Sequence, residues 1–245
     1  MKKLMIAASA AFMATVGFGL ESANVVGYNN NDLRTGNKGV GACFLPIGAD
    51  AVKLNELKVS GYDPEAGCEG DVYVQTLDNY GRTIDMYFWY DVPGELYGWL
   101  DIDDNEVDDT VKFNVGEGIY ANAPSADYKF MSAGEVAKED ISVILRTGNK
   151  HVVNATPVAI KLNDVVIAGY DPEEGCEGDV YVQTLDNYGR TIDMYFWYDV
   201  PGELYGWLDI NDNEVEDSVK IPAGDSVYAN SPSAAYSIIF PAPSL

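Results

Sequence analysis

Residues 61–110 read GYDPEAGCEGDVYVQTLDNYGRTIDMYFWYDVPGELYGWLDIDDNEVDDT, and residues 169–218 repeat this stretch with four changes. The changes are Ala66/Glu174, Asp103/Asn211, Asp108/Glu216 and Thr110/Ser218. An internal repeat of this length predicts two copies of one folding unit, each large enough to bury its own core. We therefore expect a first β module over residues 23–136 and a second over residues 137–245.

Within the repeated stretch, apolar and polar residues alternate with the period of a β-strand. Residues 71–78 and 82–91 predict an antiparallel hairpin around the three-residue turn between them. Counting outward from that turn sets the pairs on one apolar face as Val72 with Phe88, Val74 with Met86 and Thr76 with Ile84. Many short strands without a sustained helical period predict an all-β fold of two tandem antiparallel β-sandwich or barrel-like repeats. Residues 134–140 are the one expected helical turn or linker.

Residues 1–22 have the pattern of a secretory signal peptide. Lys2 and Lys3 precede an apolar run, Leu4–Val16, and small residues follow it. This run is too short to span a membrane stably, and no later stretch is long and apolar enough to do so. We therefore expect a secreted protein that acts in the periplasm, at the cell surface or outside the cell after cleavage.

The chain is strongly acidic, with 39 Asp and Glu against 15 Lys and Arg and a formal net charge of −24. Such a chain lacks the clustered cations that bind nucleic acid or anionic membrane surfaces. The charge favours solubility, association with cations or a basic partner. We expect a protein or a glycan as partner, and the sequence leaves the oligomeric state open.

Three cysteines, Cys43, Cys68 and Cys176, leave the disulfide pattern open. Cys68 and Cys176 occupy the same position of the repeat, whereas Cys43 has no cysteine counterpart. Export permits a Cys43–Cys68 bridge, a Cys68–Cys176 bridge or three thiols. The spacing does not fit a zinc site, which needs closely spaced pairs.

Asp101, Asp103 and Asn105 have the spacing of the first ligands in a calcium-binding loop. The glycine that such a loop requires next is absent, so the match covers half of the motif. The strand-like segments on both sides, residues 96–102 and 106–113, favour a solvated acidic turn at the tip of a second hairpin. We expect no metal site, and these three residues are the only calcium candidates.

The sequence predicts no catalytic residues and no cofactor. His151 is the single histidine, and Gly39 holds its place in the first module, so a duplicated active site has no histidine to use. No glycine-rich phosphate loop or dinucleotide fingerprint is present. Paired carboxylates could serve glycoside hydrolysis, but among 39 acidic residues nothing selects two of them.

Aromatic residues give the repeated stretch its most distinctive surface. Tyr87 and Trp89 lie on the face of their strand opposite Phe88, and Tyr97 and Trp99 follow on the next strand. With their counterparts, the candidate ligand-binding residues are Tyr87, Trp89, Tyr97, Trp99, Tyr195, Trp197, Tyr205 and Trp207. Such rings beside carboxylates suit stacking on sugars or anchoring at a protein interface. The alternative is a second core layer or packing between the repeats.

The two copies differ more outside the repeated stretch than within it. Residues 111–131 and 219–239 match at ten of 21 positions, against 46 of 50 inside. The sequence leaves open whether the near-identity reflects functional constraint or recent copying.

Several short sequence segments, inside and outside the repeat, resemble those of a known group of proteins. They are SANVVGY at 22–28, LRTGNK at 33–38, YFWYDVPGELYGWLD at 87–101, GEGIYANAPS at 116–125 and SAGEV at 132–136. Together they resemble secreted, often duplicated β-module proteins of verrucomicrobial and related bacteria. The resemblance implies export and a repeated β module, and it carries over no catalytic or binding residue.

These observations lead to one expected function and one alternative. We expect a non-enzymatic structural or adhesion-type interaction protein of the cell surface or extracellular space. The alternative is a tandem pair of carbohydrate-binding modules that use Trp89 and Trp99 in one copy and Trp197 and Trp207 in the other.

Overall fold

The computed structural model describes residues 26–44, 49–78, 82–125, 127–186 and 190–243. The expected signal peptide, residues 1–22, lies outside the described residues. In the described part the chain is all-β, and the remaining regular structure is two single turns of 3-10 helix at Leu54–Glu56 and Leu162–Asp164. Two similar sets of antiparallel sheets follow one another, so the prediction of an all-β fold with two repeats is confirmed.

The first set of strands runs from Val26 to Glu135. Its members are β1 Val26–Asp32, β2 Lys38–Val40, β3 Val52–Lys53, β4 Lys58–Ser60, β5 Cys68–Leu77, β6 Thr83–Val92, β7 Leu96–Asp101, β8 Lys112–Phe113, β9 Ile119–Asn122 and β10 Lys129–Glu135. They form a five-stranded sheet of order β2-β9-β5-β6-β7, a three-stranded sheet of order β1-β10-β4 and the pair β3-β8.

The second set repeats this arrangement from Ile141 to Phe240. Its members are β11 Ile141–Ile144, β12 Gly148–Val153, β13 Ile160–Lys161, β14 Val166–Ala168, β15 Cys176–Leu185, β16 Thr191–Val200, β17 Leu204–Asp209, β18 Lys220–Ile221, β19 Ser226–Ser231 and β20 Ser237–Phe240. The sheets are β12-β19-β15-β16-β17, β11-β20-β14 and β13-β18. Residues 134–140 contain the end of β10 and an extended connection, so the expected helical turn there is wrong.

Each module buries its core between the five-stranded and the three-stranded sheet. In the first module Val72, Val74, Trp89 and Trp99 point inward from the larger sheet and meet Phe130 of the smaller one. The second module has an equivalent cluster built from the same repeated residues. Burial of several aromatic and branched side chains in each cluster supplies the main driving force for folding each module.

The β5–β6 hairpin forms, but its central register differs by one residue from the prediction. Val72 pairs with Trp89, and Val74 pairs with Tyr87. Phe88 therefore lies on the other face, where its ring centroid is 5.9 Å from that of Tyr73. The predicted pairs Val72–Phe88 and Val74–Met86 are wrong, and the predicted pair Thr76–Ile84 falls in the irregular stretch between Gln75 and Leu77.

An extra residue in β6 beside the turn causes this shift, because β6 advances three residues where β5 advances two between the pairs Leu77–Thr83 and Gln75–Met86. The pair Leu77–Thr83 beside the turn keeps the predicted spacing, but the register changes between Gln75 and Leu77 and again between Glu69 and Val72. A one-residue slip moves every side chain of a strand to the opposite face. The slip buries Trp89 in place of Phe88, and the larger ring removes more apolar surface from water.

The predicted second hairpin is also wrong in its returning arm. β7 pairs with β6 along its whole length, but its other side meets the following segment only at the single bridge between Leu100 and Glu106. The chain then moves away, and β8 pairs with β3 through Val52 and Phe113. The segment between β7 and β8 is thereby free to form the wall of a groove rather than a strand.

The two modules meet along a seam with reciprocal contacts. Lys38 forms an ion pair with Asp225 at 2.7 Å, and the equivalent Lys150 forms one with Glu117 at 2.8 Å. Backbone bridges join Val40 to Asp225 and Val152 to Glu117. Contacts in which each partner repeats the other's role are the mark of a two-fold relationship, here an approximate one within a single chain. In the described residues no helix is long and apolar enough to cross a membrane.

Candidate functional site

The structure places the four candidate tryptophans in the two cores. The exposed fraction is 0% for Trp89 and 1% for Trp99, Trp197 and Trp207. Trp89 and Trp99 face each other across β6 and β7, with their ring centroids 5.2 Å apart in an edge-to-face arrangement. No ring face is open to a sugar, so the hypothesis that these tryptophans form a carbohydrate-stacking surface is wrong.

The indole N–H groups of these tryptophans are satisfied inside the protein. Trp99 Nε1 donates to the carbonyl oxygen of Leu57 at 2.8 Å. Trp89 Nε1 donates to the Tyr62 hydroxyl at 3.3 Å, and that hydroxyl donates to Asp91 Oδ2 at 2.6 Å. Both patterns recur in the second module. The tryptophans are thus structural residues, held by packing and by hydrogen bonds.

The four candidate tyrosines divide between the core edge and the surface. Tyr97 is 60% exposed and Tyr205 is 67% exposed, and each ring packs edge-on against the buried tryptophan of β6 or β16. Tyr87 is partly buried and Tyr195 is 8% exposed. They therefore do not form one continuous aromatic surface with the tryptophans.

The calcium candidates form a hydrogen-bonded turn. Asp101 Oδ1 accepts the backbone N–H groups of Asp103 and Asn105, both at 2.9 Å. Asp104 adopts a left-handed φ of 61°, which an Asp tolerates in such a turn. In the part of the chain that the structure describes, no three His, Cys, Asp or Glu side chains are grouped so as to hold a metal ion.

The three cysteines lie in the described residues as buried thiols rather than disulfides. Cys68 Sγ lies 3.7 Å from the carbonyl oxygen of Trp89, and Cys176 Sγ lies 3.8 Å from that of Trp197. Burial is the largest influence on both thiols and raises the pKa of each. Of the three alternatives left open by the sequence, the structure therefore contains the one with three thiols.

An acidic groove lies at one end of the five-stranded sheet in each module. β7 ends at Asp101, opposite Tyr87, so residues 83–86 of β6 extend beyond it. These residues form one wall, and the segment 101–111 forms the other. The enclosed volume is about 460 Å³ in the first module. We call this feature the acidic groove.

The lining of the acidic groove combines negative charge with exposed apolar side chains. Its charged members are all acidic, namely Asp85, Asp101, Asp103, Glu106 and Asp108. Ile84 and Ile102, which also line it, are 60% and 71% exposed. The groove therefore offers both carboxylates and aliphatic side chains to the solvent.

Local hydrogen bonds keep this groove negatively charged. Bonds from the Asn105 and Asp103 backbone and the Asn105 side chain lower the pKa of Asp101, and bonds from Thr110 lower the pKa of Asp108. Burial raises the pKa of Tyr87, and the nearby carboxylates of Asp85, Asp101 and Asp108 raise it further. Tyr87 thus lies within electrostatic reach of three carboxylates.

The same groove recurs in the second module. β17 ends at Asp209 opposite Tyr195, and the volume beside residues 191–194 is about 670 Å³. Its charged lining residues are Asp193, Asp209, Glu214 and Glu216. Three of the four differences between the repeated stretches fall in this lining: Asp103/Asn211, Asp108/Glu216 and Thr110/Ser218. Each of these replacements keeps a polar side chain of similar shape.

The single histidine lies at the seam, away from either groove. His151 is 4% exposed and its ring lies between Tyr120 and Tyr228, with centroid distances of 4.3 and 4.1 Å. Nδ1 lies 2.9 Å from Ser226 Oγ, and Nε2 has no hydrogen-bond partner among the described residues. Burial lowers the pKa of His151 to about 3. A cleft of about 200 Å³ beside it is lined by Lys112, Arg146, Lys150 and other residues.

Neither protein-family models, curated proteins nor solved structures give a match to this chain. The acidic groove is therefore interpreted from its own geometry and charge.

The sequence predicts other roles for several residues of the acidic groove. It places Asp101, Asp103 and Asn105 in a solvated acidic turn, with calcium binding as the weaker alternative, and it places Ile84 on the buried face of the hairpin. Two signals in the sequence pointed to the groove: carboxylates clustered on both sides of Ile102, and the recurrence of this pattern around Ile210. The projection of β6 beyond β7 was not visible, because it depends on where the strands stop pairing.

Proposed function

We propose that this chain is a secreted, non-enzymatic interaction protein of the cell surface or extracellular space. One observation carries the proposal, namely that each of the two modules presents the same acidic groove. A binding surface that occurs twice on one chain suits attachment, because two weak contacts act together with a high effective concentration.

Two further features support this proposal. Because the tryptophans are buried, the duplicated groove offers exposed isoleucines and carboxylates to a partner. The single histidine lies in a seam that occurs once, so it belongs to the joining of the modules rather than to a repeated site. The pattern at residues 1–22 supports export.

Binding of the labelled mature protein to cells and to extracellular matrix of the producing organism tests this proposal. We expect retention of the wild-type chain and its loss when both grooves carry Asp→Asn and Glu→Gln changes at Asp85, Glu106, Asp193 and Glu214. Changing one groove alone is expected to weaken retention by about tenfold or more, since the second contact no longer adds to the first.

A matched variant controls for net charge. Glu65, Glu95, Glu173 and Glu203 are exposed acids outside the groove linings, and changing all four to Gln removes the same number of charges. This control is expected to be retained like the wild type. Failure of the wild-type chain to attach to cells, envelope or matrix contradicts the proposal.

A further inference from the structure

We propose that each acidic groove binds an extended, lysine- or arginine-rich peptide segment, which adds as a strand beside residues 83–86 of β6 or 191–194 of β16. This inference rests on the proposed function and names the class of its partner. It follows from three properties of the groove: its charge, its open strand edge and its exposed isoleucines.

Charge selects a basic partner. Five carboxylates and no basic side chain line the groove of the first module, and four carboxylates and no basic side chain line that of the second. The pKa values of Asp101 and Asp209 are lowered by hydrogen bonds within their turns, so both stay ionised in mildly acidic solution. Complementary charge raises the rate of encounter and rejects acidic partners.

The strand edge selects an extended partner. β6 pairs with β5 on one side and with β7 on the other, but in the described residues no strand continues β7 beside residues 83–86. A strand that extends past its neighbour offers backbone groups to an incoming chain. Addition of a peptide strand to such an edge is a common mode of peptide recognition.

The exposed isoleucines favour a peptide in which cationic and aliphatic side chains alternate. In an extended peptide, successive side chains point to opposite faces. Ile84 and Ile102 are exposed in the first groove, and Ile192 and Ile210 are 59% and 70% exposed in the second. A peptide that alternates cationic and aliphatic residues places its cations near the carboxylates and its aliphatic side chains near these isoleucines. A small polyamine brings cations to the carboxylates but has no branched aliphatic side chains to place near the isoleucines.

Titration of the mature protein with a peptide of about eight residues that alternates Lys and Val tests the inference; this is a common strand length. We expect two peptides bound per chain and no binding of the matching Glu-Val peptide. Spermine is expected to bind about tenfold or more weakly, since it has no backbone amide groups to pair with the strand edge and no branched side chains to pack on the isoleucines. Equal affinity for spermine, or a stoichiometry other than two, overturns the inference.

The acidic residues of the groove are tested with the two charge variants described above. The Asp85/Glu106/Asp193/Glu214 variant is expected to raise the dissociation constant of the Lys-Val peptide by about three- to tenfold, the effect of two exposed charge pairs per groove. The matched variant at Glu65, Glu95, Glu173 and Glu203 is expected to bind within about twofold of wild type. Equal weakening in both variants overturns the inference, because it indicates attraction by net charge alone.

Strand addition is tested on the ligand, so that folding of the protein is not disturbed. A Lys-Val peptide N-methylated at alternate residues lacks the amide donors of one edge. Methylation of the edge that meets β6 is expected to weaken binding about tenfold or more, and methylation of the other edge is expected to leave it unchanged. Equal effects of the two methylated peptides contradict strand addition.

The two proposals fail in different ways. If the Lys-Val peptide does not bind but retention on cells depends on the groove acids, the partner class is wrong and the interaction role stands. If the peptide binds and the wild-type chain is not retained on cells or matrix, the interaction role fails.

Discussion

Single residues at the edge of each core have satisfied polar groups. Tyr62 is the clearest case, because its hydroxyl accepts from Trp89 Nε1 and donates to Asp91 Oδ2. Burial and the bond to Asp91 raise the pKa of Tyr62 far above its usual value, so the hydroxyl stays protonated and remains a donor. The same three-part contact recurs through Tyr170 in the second module.

The change Tyr62→Phe is expected to lower the free energy of unfolding by about 1–3 kcal/mol, since it leaves Trp89 Nε1 and Asp91 without their shared partner. Chemical denaturation followed by tryptophan fluorescence measures this difference. Tyr97→Phe is the control, because the Tyr97 side chain is 60% exposed. A loss for Tyr62→Phe no greater than that for Tyr97→Phe would contradict a structural role for the Tyr62 hydroxyl.

At the scale of elements, the β5–β6 hairpin is irregular at both ends: an extra residue in β6 beside the turn sets which face is buried, and a second shift lies near the start of β5. Gly67 precedes β5 with a left-handed φ of 78°, and a Cβ atom there would lie 2.3 Å from the carbonyl oxygen of Asp91. Asp91 is the residue that pairs with Cys68 at the first position of β5. This close approach holds the start of β5 against the end of β6, next to the shift of register between Glu69 and Val72.

Gly67 and Gly94 form a matched pair for testing this contact. Gly94 has nearly the same φ, 81°, and nothing lies within 4 Å of an added Cβ. Gly94→Ala is expected to cost about 1–2 kcal/mol from backbone strain alone. Gly67→Ala is expected to cost a further 1–3 kcal/mol or so, since backbone atoms of β6 must move. Thermal or chemical unfolding measures both, and equal losses would contradict the close approach.

At the scale of the whole molecule, the modules are joined by a seam that is symmetric in its ion pairs and asymmetric at its centre. Gly39 holds the position that His151 holds in the second module, and a Cβ at Gly39 would lie 1.8 Å from Ser226 Oγ and 2.5 Å from His151 Nδ1. A histidine therefore fits at one of the two equivalent positions only. The Gly39/His151 difference is a consequence of packing two copies of one unit against each other.

The buried histidine makes stability depend on pH. In the unfolded chain its pKa is near 6.5, whereas in the folded chain it is lowered to about 3. Between these values the unfolded state holds a proton that the folded state lacks, so stability falls as the pH falls through this window. From pH 7 to pH 5 the loss from this residue is about 2 kcal/mol.

The variant His151→Gln is expected to remove this part of the pH dependence, because glutamine carries no ionisable group and retains an amide for Ser226. Denaturation midpoints at pH 7, 6 and 5 measure the slope for the wild type and the variant. Carboxylates contribute equally to both proteins in this range, so they cancel in the comparison. Identical slopes would contradict a buried neutral His151.

The sequence by itself determined the all-β class, the doubling of the fold and the strands of the hairpin, since these depend on local alternation and on an internal repeat. It also identified which residues are aromatic, acidic and repeated. It did not determine which of these side chains lie on the buried face of their strand. Trp89 and Phe88 are neighbours in β6, and one extra residue in this strand beside the turn decides which of them is buried.

Only the tertiary structure decided where the acidic groove lies. The acidic groove exists because β7 stops at Asp101 while β6 continues to Thr83, and because the chain after Glu106 leaves to pair β8 with β3. The end of β7 and the pairing of β8 with β3 both depend on contacts between residues far apart in the sequence. In these contacts, backbone pairing at one sheet edge competes with the burial of another edge. Local sequence carries no record of that balance. In the assembled sheets, the turn that contains Asp101, Asp103 and Asn105 and the strand end that contains Ile84 form the two walls of one groove.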